Sequence, residues 1–155
     1  MEPDSPAGQQ VLLKSLRRRR AELRESINSL EHALAAPATG EPELWAERVL
    51  AKLNQLAADF REHVEITEGP GGLYRDLLDT APRLSSEVTR LTEEHDEIQK
   101  MLDDLLTFAG TPEAGEDLDR TRDLGTRLLG RLVRHRQRGS DLVYEAYEVD
   151  IGGDT

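Results

Sequence analysis

Cysteine is absent from the 155-residue chain, so neither disulfide bonds nor thiolate metal sites are available to it. Any set of metal ligands must therefore come from His, Asp and Glu side chains. Aromatic residues are also rare, at 4% of the chain. Such a composition is typical of helical bundles and disfavours β-sandwiches, whose strands are rich in aromatic and β-branched residues. We expect an all-α fold in one domain.

The charge balance and the lack of long apolar runs exclude two classes of partner. A net charge of −11 disfavours nucleic acid, because phosphates are held by Lys and Arg. The arginines at residues 17–20 are interpreted as a mostly solvated helix face, since acidic residues flank them. No apolar stretch approaches about 18 residues, and the first ten residues are polar with two prolines. We predict neither a membrane span nor a signal peptide, and a cytoplasmic, bacterial protein.

Proline and glycine divide the chain into four helical segments, with breaks at residues 37–42, 69–72 and 110–112. Within each segment, apolar residues recur at alternating spacings of four and three, which indicates the seam of a helix packed in a bundle. We therefore predict an up-down-up-down four-helix bundle over residues 9–149. Flexible termini are expected at residues 1–8 and 150–155.

Each predicted seam is interrupted by one nitrogen-bearing side chain. The interrupting residues are Arg20, His63, His95 and His135. At 1.5 Å rise per residue in helices of alternating direction, they fall at depths of about 20 to 30 Å from one end of the bundle. Only about two or three residues in seven face the core of a bundle, so a shared depth indicates a buried cluster. His32 lies across its helix from the seam and is predicted to face solvent.

The segments at residues 62–65, 91–98 and 132–135, which contain the three seam histidines, resemble the hemerythrin-like (HHE) cation-binding family. The resemblance covers about residues 12–149. It implies a bundle that holds a metal ion or small ligand in its core. The ligands that it implies are His63, His95 and His135, with Glu68 as a candidate fourth. Arg20 and Tyr144 are expected beside that site.

The chain departs from the family where carboxylates should bridge two metal ions. Arg20 stands where the first histidine of the family would fall. Thr67, Gln99 and Gly139 stand one helical turn after the seam histidines. Two iron ions need anionic bridges to offset their repulsion, and neutral imidazoles do not supply them. We therefore expect at most one ion, iron or zinc with copper or nickel as alternatives, and not a di-iron oxygen carrier.

Three hypotheses remain open. In the first, a reduced metal site serves metal binding or the sensing of a small ligand or redox state, with Arg20 holding an anion or oxygen species. In the second, no metal binds, Arg20 pairs with Glu68 or another carboxylate, and the buried network is structural in a partner-binding module. The third, an enzyme with histidine as acid or base, is less favoured, because no nucleophile, phosphate loop or Glu-x-x-His pair accompanies the histidines.

Overall fold

Helices make up almost all of residues 6–149, the part of the chain that this computed structural model describes. No strand occurs within that part, so the predicted all-α class is confirmed. None of the described helices is long and apolar enough to cross a membrane. In chain order the helices are α1 (Pro6–Ala35), α2 (Pro42–Glu68), α3 (Leu73–Thr80), α4 (Ser85–Ala109), α5 (Glu113–Glu116) and α6 (Leu118–Val143), with a 3-10 turn at Pro82–Leu84 and a π-helical segment at Tyr144–Val149.

Two of the four predicted segments are divided in the structure. The third contains α3, the 3-10 turn and α4, because Pro82 has no N–H and cannot continue the helix before it. The fourth contains α5 and α6, and the side chain of Asp117 caps α6 by accepting a hydrogen bond from the backbone N–H of Arg120 at 3.1 Å. The four predicted segments therefore correspond to six α-helices, of which α3 and α5 are short.

The predicted termini lie mostly beyond the described residues. Residues 1–5 and 150–155 are outside the described part of the chain. Helix α1 begins at Pro6, within the segment 1–8 that is predicted to be flexible. Proline suits the first turn of a helix, where its missing N–H would have no helical partner.

The four long helices α1, α2, α4 and α6 pack side by side around the core. Helix α1 contacts α2 and α6, and α4 contacts the same two helices. Helices α1 and α2 run antiparallel, since Ser26 hydrogen-bonds Asp59 while Arg19, earlier on α1, pairs with Glu62, later on α2. The Arg19 Nη1 to Glu62 Oε2 distance is 2.6 Å.

Buried apolar side chains form two clusters, with buried histidines between them. The first, called the larger cluster below, lies between the four long helices. It includes Leu23, Ile27, Leu30, Leu34, Trp45, Val49, Leu53, Leu56, Phe60, Ile98, Leu102, Leu105, Leu128 and Leu132. The smaller cluster includes Leu16, Leu73, Tyr74, Leu77, Ala81, Leu84, Val88, Leu91, Leu142 and Ala146. Most of these residues are the apolar positions of the predicted seams, so burial of the seams is confirmed.

The turn between α2 and α3 determines how the smaller cluster closes. Gly71 has a φ of +71°, in the left-handed region that side-chain-bearing residues rarely adopt. This turn brings α3 back against α2 and α4. As a result Leu73 and Tyr74, at the start of α3, are buried beside the histidines.

Candidate metal centre

The three seam histidines lie together in the structure. His63 on α2, His95 on α4 and His135 on α6 are 8%, 2% and 2% exposed. One nitrogen of each ring lies within 4.8 Å of a nitrogen of both other rings. The Nε2 atoms of His63 and His135 are 3.3 Å apart. His32 is exposed, as the helical periodicity predicted.

Carboxylates hold the outer nitrogen of two of these rings. The Nδ1–H of His95 donates to Oε2 of Glu68, and the Nδ1–H of His135 donates to Oε1 of Glu94, the latter at 2.8 Å. Arg138 pairs with the other carboxylate oxygen of Glu94. Since Nδ1 of each neutral ring carries the proton, its Nε2 has a free lone pair.

His63 is held differently from the other two histidines. Its backbone carbonyl accepts a hydrogen bond from the Thr67 hydroxyl at 2.8 Å. Its Nδ1 is buried and has no hydrogen-bond partner among the described residues. The ring of Phe60 packs beside it, with the ring centroids 5.9 Å apart. Helix α2 and this phenyl ring therefore position His63, with no carboxylate behind it.

Glu68 occupies a different position from the one that the sequence suggested. The resemblance implied that its carboxylate would be a fourth ligand, but the carboxylate lies on the outer nitrogen of His95. The Arg20–Glu68 pair of the metal-free hypothesis is not formed. Arg20 is half-buried beside His63 and His135, and its side chain makes no ion pair or hydrogen bond with any described residue.

Tyr74, on α3, is the tyrosine that reaches the histidines. Its ring stacks on that of His95, with centroids 5.7 Å apart and an interplanar angle of 11°. Its hydroxyl donates to Nε2 of His95 at 3.4 Å. Burial raises the pKa of Tyr74, so the hydroxyl keeps its proton at neutral pH. Tyr144, which the sequence analysis placed beside the site, is 61% exposed on the π-helical segment.

Glu94 is the residue of this site that the sequence reasoning missed. It is 6% exposed and makes both the hydrogen bond to His135 and the pair with Arg138. A signal for it was present in the spacing. Glu94 follows Leu91 by three residues and precedes Ile98 by four, which places it on the seam side of α4.

Burial keeps the imidazoles neutral. It lowers the pKa of His63 to about 3, that of His95 to about 2 and that of His135 to about 4. The neighbouring His135 and Arg20 lower the pKa of His63 further. Neutral imidazole is the form that binds metal ions, so no histidine proton has to leave before a cation binds at neutral pH. The three rings can therefore hold a metal ion.

The fold and the site together define an all-α helical bundle in which three buried histidines form a candidate metal centre. A family model described as the hemerythrin HHE cation binding domain matches residues 11–147. The chain belongs to this family, and the resemblance inferred from its short segments is confirmed. The matched range contains all three buried histidines and their two carboxylates. Neither the curated proteins nor the solved structures gave a match.

Proposed function

We propose that this protein binds one iron or zinc ion through His63, His95 and His135 in an up-down-up-down bundle, and that it senses a small ligand or a redox change. The observation that carries the proposal is the pair of carboxylates behind the rings of His95 and His135. Metal-binding histidines usually donate their other N–H to a carboxylate or carbonyl, which orients the ring and makes it a better ligand.

The distances and the carboxylate positions favour one ion over two. Two nitrogen ligands of a tetrahedral zinc ion, each about 2.05 Å from it, are about 3.3 Å apart. The Nε2 atoms of His63 and His135 have this separation, 3.3 Å. Glu68 and Glu94 both engage outer nitrogens, where neither can bridge a pair of ions. Three neutral imidazoles suit a single cation better than two that repel each other.

The surroundings of the rings suit a dry site that admits a small molecule. The ring of Phe60 lies 5.7 to 6.4 Å from all three imidazole rings, between centroids, and separates them from water on the side of the larger cluster. The hydroxyl of Tyr74 lies on the Nε2 side of His95 and is available there as a donor. A zinc or iron ion with three protein ligands supplies a Lewis-acidic position open to a further ligand.

Metal analysis tests this proposal directly. The purified protein is incubated separately with Zn²⁺, Fe²⁺, Cu²⁺, Ni²⁺ and Mn²⁺, desalted, and analysed for metal per chain. We expect close to one zinc or iron ion per chain in the wild type and a loss of that ion in His95→Ala. His32→Ala removes an exposed histidine and is the matched control, which should keep the ion. Metal at background level in the wild type for every ion tested would refute the proposal.

A second variant tests the role of the outer carboxylates. Glu94→Gln removes the charge behind His135 while keeping the shape of the side chain. We expect metal affinity to fall by about 10- to 100-fold, measured by competition with a chelator. Glu97→Gln, one turn along α4, also removes a pair with an arginine of α6, but at an exposed position, and is the control. An equal loss of affinity in both variants would show that Glu94 acts only through general charge.

The metal-free network is the alternative, and one set of contacts favours it. His63 hydrogen-bonds to His135, and Tyr74 to His95, so the rings also form a network among themselves. Arg20, however, has no carboxylate partner among the described residues, although this alternative requires one. In the alternative, Arg20→Ala should strongly lower the melting temperature of the metal-free protein, because it breaks a buried network. In the metal-site proposal the same change should raise metal affinity, because a nearby positive charge is removed.

A further inference from the structure

We propose that the cavity between Arg20 on α1 and Arg136 on α6, beside His63, binds a small monovalent anion of the size of chloride or nitrite. The site needs only the side chains of this chain, so it is expected in the metal-free protein too. Its test is therefore independent of whether the histidines bind a metal.

Arginines without acidic partners meet where α1 packs on α6. Burial and then the charge of Arg136 lower the pKa of Arg20, and burial and then the charge of Arg24 lower the pKa of Arg136. None of these three side chains forms an ion pair with a described residue. Arg138, two residues after Arg136, does pair with an acid, Glu94. In a chain with 31 acidic and 20 basic residues, three neighbouring arginines without an acid are unexpected.

Two of these arginines line the same small cavity. The cavity has a volume of about 20 Å³, and Arg20, His63, His135 and Arg136 are among its lining residues. A space of this size holds about one water-sized occupant. None of the described residues that line it is Asp or Glu, and leucines of the smaller cluster form much of its wall. The cavity therefore offers positive charge in apolar surroundings, where attraction to an anion is stronger than in water.

An unpartnered donor points to the same kind of occupant. Within the described residues, His63 Nδ1 and Arg136 Nε are buried side-chain nitrogens without a hydrogen-bond partner, and both side chains line this cavity. Because Nε2 of His135 offers a lone pair, the Nε2–H of His63 donates to it in the metal-free protein, and Nδ1 of His63 is then an acceptor. The donor without a partner is Nε of Arg136. The hydroxyl of Thr67 already donates to its own helix. The guanidinium of Arg136 thus needs an acceptor, and an anion accepts from guanidinium N–H groups.

An anion bound in this cavity would also affect metal binding by the histidines. Arg20 stands beside the histidines and repels a metal ion, whereas a bound anion would offset that charge. By linkage, an anion that improves metal binding is itself bound more tightly when the metal is present. This consequence rests on the proposed function, but the anion site does not.

The first experiment uses wild-type protein from which metal has been removed with a chelator. Its melting temperature is measured in sodium chloride, sodium nitrite, sodium sulfate and sodium gluconate at equal ionic strength. We expect chloride and nitrite to raise the melting temperature with a saturable dependence on concentration, because they bind the folded state. Gluconate, which is too large for the cavity, should have no such effect.

Variants then locate the site. Arg20→Gln and Arg136→Gln each remove one guanidinium, and Arg17→Gln removes an exposed arginine from the preceding turn of α1 as the control. In isothermal titration with nitrite, we expect at least about tenfold weaker binding in the first two variants, the loss expected for one hydrogen bond to a charged group. The control should bind as the wild type does. Circular dichroism verifies that each variant folds.

Three results would overturn the proposal. The first is the absence of any chloride or nitrite effect in the wild type, which needs no variant and remains decisive if a variant fails to fold. The second is equal nitrite binding in Arg20→Gln, Arg136→Gln and the control. The third is tighter binding of sulfate than of chloride or nitrite, which would place the anion on exposed guanidinium groups outside the small cavity. A failure to bind metal leaves all three measurements unaffected.

Discussion

The larger and the smaller apolar cluster differ in how the chain encloses them. The larger cluster is built mostly from regular seam positions of the long helices. Within the described part of the chain, the buried side-chain nitrogen of this cluster that has no hydrogen-bond partner is Nε1 of Trp45. The smaller cluster is closed by the short helix α3 and by the π-helical segment after α6. It includes polar groups, since Tyr147 of that segment donates to the buried carboxylate of Asp76.

The histidines lie where these two clusters meet. Phe60 of the larger cluster packs edge-on against His95, and Tyr74 of the smaller cluster stacks on the same ring. One side of the site is thus apolar, and the other carries a hydroxyl and the partly exposed carboxylate of Glu68. The larger cluster encloses the histidines with apolar side chains, while the smaller one contributes the Tyr74 hydroxyl that reaches the candidate centre.

The largest effect is expected from acid, which should lower the free energy of unfolding through the three buried histidines and not through either apolar cluster. The unfolded chain protonates its histidines near pH 6.5, whereas burial lowers the pKa of His63 to about 3, that of His95 to about 2 and that of His135 to about 4. Below pH 6.5 the unfolded state therefore binds more protons, and the free energy of unfolding falls. The limit is about 1.4 kcal/mol per pH unit for each imidazole, or about 4 kcal/mol per pH unit for the three together.

Urea unfolding of the metal-free protein between pH 7 and pH 5 measures this loss. Most carboxylates stay ionised in that window, so the histidines dominate the pH dependence. His63→Gln should flatten the dependence, and His32→Gln, at an exposed histidine, should leave it as in the wild type. Stability that is independent of pH in the wild type would contradict the conclusion that the three buried imidazoles are neutral in the folded state.

Truncation of one residue in each cluster tests whether the larger cluster is more rigid than the smaller one. Phe60 and Leu77 are both 0% exposed. We expect Phe60→Ala to lower the free energy of unfolding by about 3 to 5 kcal/mol, because the long helices cannot close the space that it leaves. Leu77→Ala should cost about 2 to 3 kcal/mol, since short α3 can shift inward. Urea unfolding at neutral pH measures both losses of stability. An equal loss in the two variants would contradict a difference in rigidity between the clusters.

The smallest loss of stability is expected when the hydroxyl of Tyr74, in the smaller cluster, is removed. Tyr74→Phe keeps the stacking on His95 and removes its hydrogen bond to Nε2. The metal-free protein should lose about 0.5 to 1.5 kcal/mol of stability in urea unfolding. Metal content should remain that of the wild type, because all three ring nitrogens are kept. Tyr144→Phe, at an exposed position, should change neither quantity. Loss of the metal in Tyr74→Phe would make the hydroxyl a part of the metal site.

The periodicity of the sequence was enough to predict the core but not its polar contacts. His63, His95 and His135 were placed in the core because each continues an apolar seam. Glu94 was overlooked because it immediately precedes His95, and the adjacent histidine was taken as the seam residue. Glu68 was a candidate fourth ligand because it lies near His63 at the end of α2, while its approach to His95 on α4 was unknown.

Helical class, the apolar seams and the burial of the seam histidines were determined by the sequence alone, because a residue's face on a helix follows from local spacing. The contacts between helices were decided only by the tertiary structure. Glu68 contacts His95, Glu94 contacts His135, and Arg20 has no acidic partner within the described residues. These contacts depend on where α2 ends, how the turn at Gly71 directs α3, and how α1 and α6 are rotated against each other, which are properties of packing between segments far apart in the chain.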